Sequence, residues 1–110
     1  MIETRIGDFE EALLLLIGIV GDDNAYAFRV AKEFSAQTGR NISVGSVHST
    51  LDRLESKGYL KSSVKNATAE RGGRRKRIFV VTALGKRVLK ESLDFKMSLW
   101  RQHPTFSSSR

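Results

Sequence analysis

The chain has 110 residues, of which 40% are hydrophobic and 28% charged, so its length and composition fit one globular domain with a modest core. It contains no cysteine, which excludes disulfides, a thiolate nucleophile and a zinc–thiolate site, and its two histidines are too few for a metal site. The formal net charge is +7, and residues 61–77 alone carry seven basic side chains and one acidic side chain. Such a concentration of positive charge indicates a partner with regularly spaced anions, of which a nucleic acid backbone is the most common.

The first predicted element is a helix that begins at Asp8, which can serve as its N-cap, and ends at Gly18 or Gly21. Glu10 and Glu11 in its opening turn suit the positive end of the helix dipole. The apolar run inside this helix is too short to span a bilayer and follows acidic rather than basic residues. We therefore expect a buried helix rather than a membrane span or a signal peptide.

A helix-turn-helix unit is predicted next. Its first helix runs from Asn24, as N-cap, to a stop at Gly39, where a left-handed conformation suits glycine. Residues 40–42 form a short link that could pair as a brief strand. Ser43 caps the second helix of the unit, residues 44–57, whose apolar stripe must pack on the two preceding helices.

The periodicity changes after the third helix. Residues 59–65 and 75–81 predict two strands, joined by a loop in which residues 72–73 are both glycine. We call residues 59–81 the wing. Thr82 then caps a fourth helix over residues 83–102.

The fourth helix has two apolar faces, and a domain of this size can cover only one of them. One face contains Leu84, Val88, Phe95 and Leu99. The opposite face, the predicted dimer interface, contains Leu89, Leu93, Met97 and Trp100. Self-association would bury the second face, and a wider intramolecular core is the alternative.

This order of elements predicts a mainly α fold with a small β-hairpin, namely a winged helix-turn-helix with a C-terminal dimerisation helix. We expect a DNA-binding domain in residues 1–82, a dimerisation helix in residues 83–102 and a disordered tail in residues 103–110.

The third helix and the wing form the predicted DNA-binding surface. The outward face of the helix is short, polar and mostly uncharged, so it can enter a major groove while hydroxyl groups and an imidazole reach base edges or phosphates. Its N-terminal amides can hold a phosphate, and the basic side chains of the wing can follow the sugar–phosphate backbone. The predicted DNA-binding residues are Ser43, Gly45, Ser46, His48, Ser49, Arg53, Arg71, Arg74, Arg75, Lys76 and Arg77.

These residues resemble those of the PadR family of bacterial transcriptional regulators. The matching segments are residues 42–55, 58–60 and 72–85, and the resemblance extends over residues 9–89. His48 stands where the family usually has a DNA-contacting tyrosine, and Ser49 where a proline is common. The resemblance implies a dimeric cytoplasmic regulator, commonly a repressor, of the subgroup with a single helix after the wing. It also implies Trp100 as a candidate platform for a small aromatic effector, although a lone tryptophan on a helix is more often an interface anchor.

The sequence therefore predicts a sequence-specific DNA-binding transcriptional regulator that binds a roughly palindromic operator as a homodimer. The main alternative is a winged-helix protein-interaction module whose basic wing binds an acidic partner. RNA binding is a further alternative. No paired carboxylates, nucleophile–base pair or phosphate-binding loop are evident, so we predict no enzyme activity, catalytic residue, metal or cofactor.

Overall fold

The computed structural model describes residues 6–21, 23–66 and 75–105. The elements in chain order are α1 (Asp8–Val20), α2 (Ala27–Thr38), α3 (Val44–Ser56), β1 (Leu60–Asn66), β2 (Arg75–Val81) and α4 (Ala83–Arg101). This is the predicted order of three helices, a hairpin and a fourth helix, so the predicted fold class is confirmed.

The core lies where α1, α2, α3 and the hairpin meet. Each helix contributes apolar residues from one face, as the helical period requires. The largest fully buried side chains are Phe79, Leu13, Leu14, Leu51, Leu54, Val30, Val47 and Val88. Because Phe79 belongs to β2 and Val88 to α4, the same core holds the wing and the start of the C-terminal helix in place.

The helix caps that depend on local sequence lie where they were predicted. The hydroxyl oxygen of Ser43 accepts a hydrogen bond from the Ser46 amide at 3.0 Å, which fixes the start of α3. Gly39 ends α2 in the left-handed conformation, with φ of 74°. Thr82 caps α4 by accepting from the Gly85 amide.

Two predicted helix starts were wrong. The N-cap of α1 is Gly7 rather than Asp8, because the Glu10 carboxylate accepts a hydrogen bond from the Gly7 amide at 2.9 Å. The second helix begins at Ala27 rather than directly after Asn24. The reason is a long-range contact, in which the buried Ala25 accepts a hydrogen bond from the Phe79 amide of β2 at 2.9 Å.

The predicted strand at residues 40–42 is absent from the described chain, where these residues form an irregular link. The only sheet in the described chain is the antiparallel pair β1–β2, which runs in register from Leu60 opposite Val81 to Asn66 opposite Arg75. The backbone hydrogen bond with β2 is made by the Ala25 carbonyl and not by residues 40–42. The glycine turn at residues 72–73 lies outside the described residues.

The fourth helix packs differently from the prediction. Of its first apolar face only Val88 is buried, whereas Phe95 is 64% exposed and Leu99 50% exposed. Of the second face, Leu89 packs partly against the core instead of standing free. The prediction that one complete face is covered by the domain was therefore wrong.

Polar contacts explain this packing. Ser92 and Lys96 of α4 both donate hydrogen bonds to the buried Glu11 carboxylate of α1, each at 2.6 Å. On a helical wheel these two residues lie between the two apolar faces. Since this polar strip faces α1, the last two turns of α4 leave apolar side chains exposed on both sides.

Candidate nucleic-acid interface

The N-terminal end of α3 is exposed and carries small polar side chains. The Ser43 hydroxyl donates to the Ser46 hydroxyl at 3.0 Å, and the Ser49 hydroxyl donates to the Gly45 carbonyl at 3.1 Å. All four residues are exposed. Because these side chains are short, a flat or grooved polymer can approach this end of the helix closely.

His48 and Asp52 lie one turn apart on the same exposed face. The Nδ1 atom of His48 is 3.5 Å from a carboxylate oxygen of Asp52. The outward face of α3 is therefore acidic toward its C-terminal end, which the sequence prediction did not consider.

Arg77 of β2 neutralises this acidic end. Its guanidinium donates to Asp52 at 2.7 Å, to Glu55 and, from Nε, to the Ser62 hydroxyl at 3.2 Å. It also lies over the Phe79 ring, 4.8 Å from the centroid. The Arg77 hydrogen bond lowers the pKa of Asp52, and the Ser62 hydroxyl together with Arg77 lowers the pKa of Glu55. Arg77 was predicted to contact DNA, but in this geometry it joins the wing to α3.

Arg53, a second predicted DNA-binding residue, contacts α1. Its Nε donates to the buried carboxylate of Glu10 at 3.1 Å, and Lys57 donates to the same carboxylate at 3.1 Å. Burial would raise the pKa of Glu10, but hydrogen bonds from the Gly7 amide, Lys57 and Arg53 outweigh it and lower the pKa. Glu10 thus attaches the base of α3 to α1.

Glu10→Gln should test this attachment. The amide keeps the size of the side chain but removes the charge that faces Arg53 and Lys57, so we expect a loss of about 1 kcal/mol in the free energy of unfolding at pH 7. A carboxylate with a lowered pKa stabilises the fold above its ordinary value of 4.5, and this contribution is lost as the pH falls through the lowered pKa. Urea unfolding should therefore show a difference in the free energy of unfolding between wild type and Glu10→Gln at pH 7, and this difference should disappear at pH 3.

The matched control is Glu91→Gln, because Glu91 is exposed on α4. This substitution should change neither the stability at pH 7 nor its pH dependence. A gap between wild type and Glu10→Gln that stays constant down to pH 3 would contradict the ionic role of Glu10.

Several cations in the described part of the wing already have partners within the protein. Lys76 lies over the Tyr26 ring at 4.2 Å, and Lys65 forms an ion pair with Asp23. Both contacts fasten the hairpin to the segment between α1 and α2. Arg75 is exposed and has no ion-pair partner among the described residues. Of the other predicted contacts, Arg71 and Arg74 lie outside the described residues.

Sequence reasoning missed the acidic partners and could not have assigned them. Glu10 and Glu11 were interpreted only as dipole partners, and the outward face of α3, which contains Asp52, was interpreted as mostly uncharged. Their real partners are 25 to 85 residues away in sequence. The signal available was weak, namely an acidic pair three residues apart at positions 52 and 55 on a helix followed by a basic strand.

In the described part of the chain, no group of three or more metal-ligating side chains could hold an ion. None of the helices described is long and apolar enough to cross a membrane.

Residues 16–91 match the transcriptional regulator PadR-like family. No curated protein has a sequence that matches this chain. Among solved structures, a PadR family transcriptional regulator from Eggerthella lenta is 25% identical, with a TM-score of 0.62 over 79% of this chain and 72% of that one.

Two further solved structures share the fold over almost their whole length. A transcriptional regulator from Clostridium thermocellum is 23% identical, with a TM-score of 0.67 over 90% of this chain and 92% of that one. A PadR-like transcriptional regulator from Bacillus cereus is 16% identical, with a TM-score of 0.68 over 92% and 93% of the two chains.

Proposed function

Because this chain belongs to the PadR-like family of transcriptional regulators, we propose that it is a sequence-specific DNA-binding repressor that binds a roughly palindromic operator as a homodimer. The family consists of regulators rather than enzymes. The observation that carries the proposal is the exposed N-terminal end of α3, where small polar side chains surround the first turn of a helix whose C-terminal half contacts the basic wing. We also propose a cytoplasmic location, since such a regulator must reach chromosomal DNA.

In this proposal α3 lies in the major groove. Gly45, Ser46 and Ser49 allow the helix to approach the base pairs closely, and hydroxyl groups can donate to or accept from base edges. His48, which is exposed one turn further along, can reach a base edge or a phosphate. Sequence preference is therefore assigned to α3.

The wing supplies affinity in this proposal. Arg75 extends from the first position of β2 and is available for a phosphate. Arg71 and Arg74 precede it in the chain and are proposed to act in the same way. Arg77 and Arg53 have a different proposed role, which is to hold α3 at a fixed angle to the wing and to α1 through Asp52 and Glu10.

Homodimerisation is supported by the exposed apolar side chains of α4 and α1. On α4, Phe95, Met97, Leu99 and Trp100 are all between 44% and 64% exposed, and on α1 Ile19 is 60% exposed. This much exposed apolar surface on a single helix is typical of an interaction surface. Trp100 remains a proposed contact for a small aromatic effector at the same interface.

Arg75→Ala and Arg77→Ala should separate phosphate contact from positioning. Without Arg75, affinity for all duplexes should fall equally, and the slope of log affinity against log salt should decrease by about 0.9, the value for one phosphate contact. The stability should not change, because Arg75 has no ion-pair partner in the described chain. Fluorescence anisotropy across a salt series measures the slope.

Without Arg77, the free energy of unfolding should fall by about 1 kcal/mol, since Asp52, Glu55 and Ser62 lose their shared donor. DNA affinity should also fall, because two unneutralised carboxylates would face the phosphates. If Arg77→Ala left the stability unchanged and altered only the salt slope, Arg77 would be a phosphate contact and the proposed division of roles would be wrong.

A further inference from the structure

An apolar hollow lies between α2 and the first residue of α3, on the flank of α3 that faces α2. Val44, the first residue of the helix, is 39% exposed, and Phe28 of α2 is 57% exposed. The hollow has a volume of about 230 Å³ and is lined by Phe28, Ala31, Lys32, Ser35, Ile42 and Val44.

Two features decide what this hollow fits. It is lined by only six residues, whereas a stable protein–protein interface involves about 20–30 residues on each side, so the hollow alone is too small for a protein partner. Lys32 is exposed at its edge and has no ion-pair partner among the residues described. A cation beside a small apolar surface complements a polymer that presents an apolar group next to a phosphate.

The major groove of DNA offers one such group. Among the four bases, only thymine exposes a methyl group at its major-groove edge, and apolar side chains read it by contact. Val44 precedes Gly45 and Ser46, which are proposed to approach the base pairs. Val44 lies about 100° around the helix from Gly45, on the flank toward α2, so a helix that enters the groove with these residues would bring this flank to the edge of the groove.

We propose that Val44, supported by Phe28, contacts the C5-methyl group of a thymine in each half-site and selects an A·T pair there. This inference rests on the proposed DNA-binding function and assigns one specific base contact to it. Lys32 then neutralises a phosphate at the edge of the same contact. In this proposal α3 contacts the operator with Val44 on the flank next to α2 and with Ser46 and Ser49 on its polar face.

The test exchanges thymine for uracil, which removes only the methyl group. Operator duplexes recovered by selection from random DNA would be prepared with uracil at each thymine position in turn, symmetrically in both half-sites. For wild type, one position should lose affinity about fourfold per half-site, as expected for one methyl group that is no longer buried. Val44→Thr, which keeps the shape of the side chain but replaces a methyl with a hydroxyl, should bind the thymine and uracil duplexes equally.

Val80→Thr is the matched control, because Val80 is 37% exposed on β2 and the substitution is chemically the same. It should keep the full sensitivity to uracil. Phe28→Ala should reduce the sensitivity in the same direction as Val44→Thr.

The outcomes are distinguishable. If wild type selects no operator, the proposed function itself fails. If wild type binds an operator but no uracil position weakens it, or if Val44→Thr keeps the wild-type sensitivity at every position, the thymine contact is overturned while DNA binding stands. Unchanged operator affinity and preference in both Val44→Thr and Phe28→Ala would also overturn it.

Discussion

Gly85→Ala should lower the free energy of unfolding by about 3 kcal/mol, although alanine is the better helix former by about 1 kcal/mol. A Cβ atom at position 85 would lie 2.3 Å from the Tyr59 carbonyl oxygen and 2.9 Å from a methyl carbon of Val81. Tyr59 cannot move freely, because its carbonyl accepts a hydrogen bond from the Thr82 amide at 3.0 Å. Thermal or urea unfolding measures the loss.

Gly18→Ala is the control for this prediction. Gly18 also lies inside a helix, but a Cβ atom there would meet nothing within 4 Å. This substitution should raise stability by about 0.5–1 kcal/mol through helix propensity alone. If Gly85→Ala were neutral or stabilising, the close approach of α4 to Tyr59, between α3 and β1, would be wrong.

Trp100→Glu should convert the proposed dimer to a monomer. Wild type should have about twice the chain mass of 12.3 kDa at micromolar concentration, and the variant should have about the chain mass itself. A charge at a 49% exposed apolar position would have to be buried between two copies of α4, which is costly without a partner. Light scattering after gel filtration measures the mass.

The loss of the dimer should also weaken operator binding about 100-fold or more, because the second half-site is then no longer bound intramolecularly. Val64→Glu, at a 56% exposed position on β1, should leave the mass unchanged. A wild-type protein with the mass of a single chain at micromolar concentration would rule out the proposed dimer.

Local chemistry accounts for what the sequence predicted correctly. Ser43, Thr82 and Gly39 act within a few residues of themselves, through a cap or a left-handed turn, so their effects are visible in a single sequence. The PadR resemblance, which rested on such segments, is confirmed by the family match. The fold class could therefore be predicted.

Long-range contacts account for the errors. The start of α2 depends on the hydrogen bond between Ala25 and Phe79, and neither residue carries a signal of it. The apolar side chains of α4 are exposed because Glu11 of α1 binds the polar strip that contains Ser92 and Lys96. Net charge likewise indicated a basic wing but not that Arg77 is shared between Asp52 and Glu55.

The most direct test of the central claim is a selection of random duplex DNA by the wild-type protein, followed by sequencing of the retained molecules. We predict enrichment of a roughly palindromic operator whose half-sites are separated by about one helical turn, about 10 base pairs centre to centre. Retention of duplexes without any enriched sequence, or no retention at low salt, would contradict a sequence-specific DNA-binding dimer.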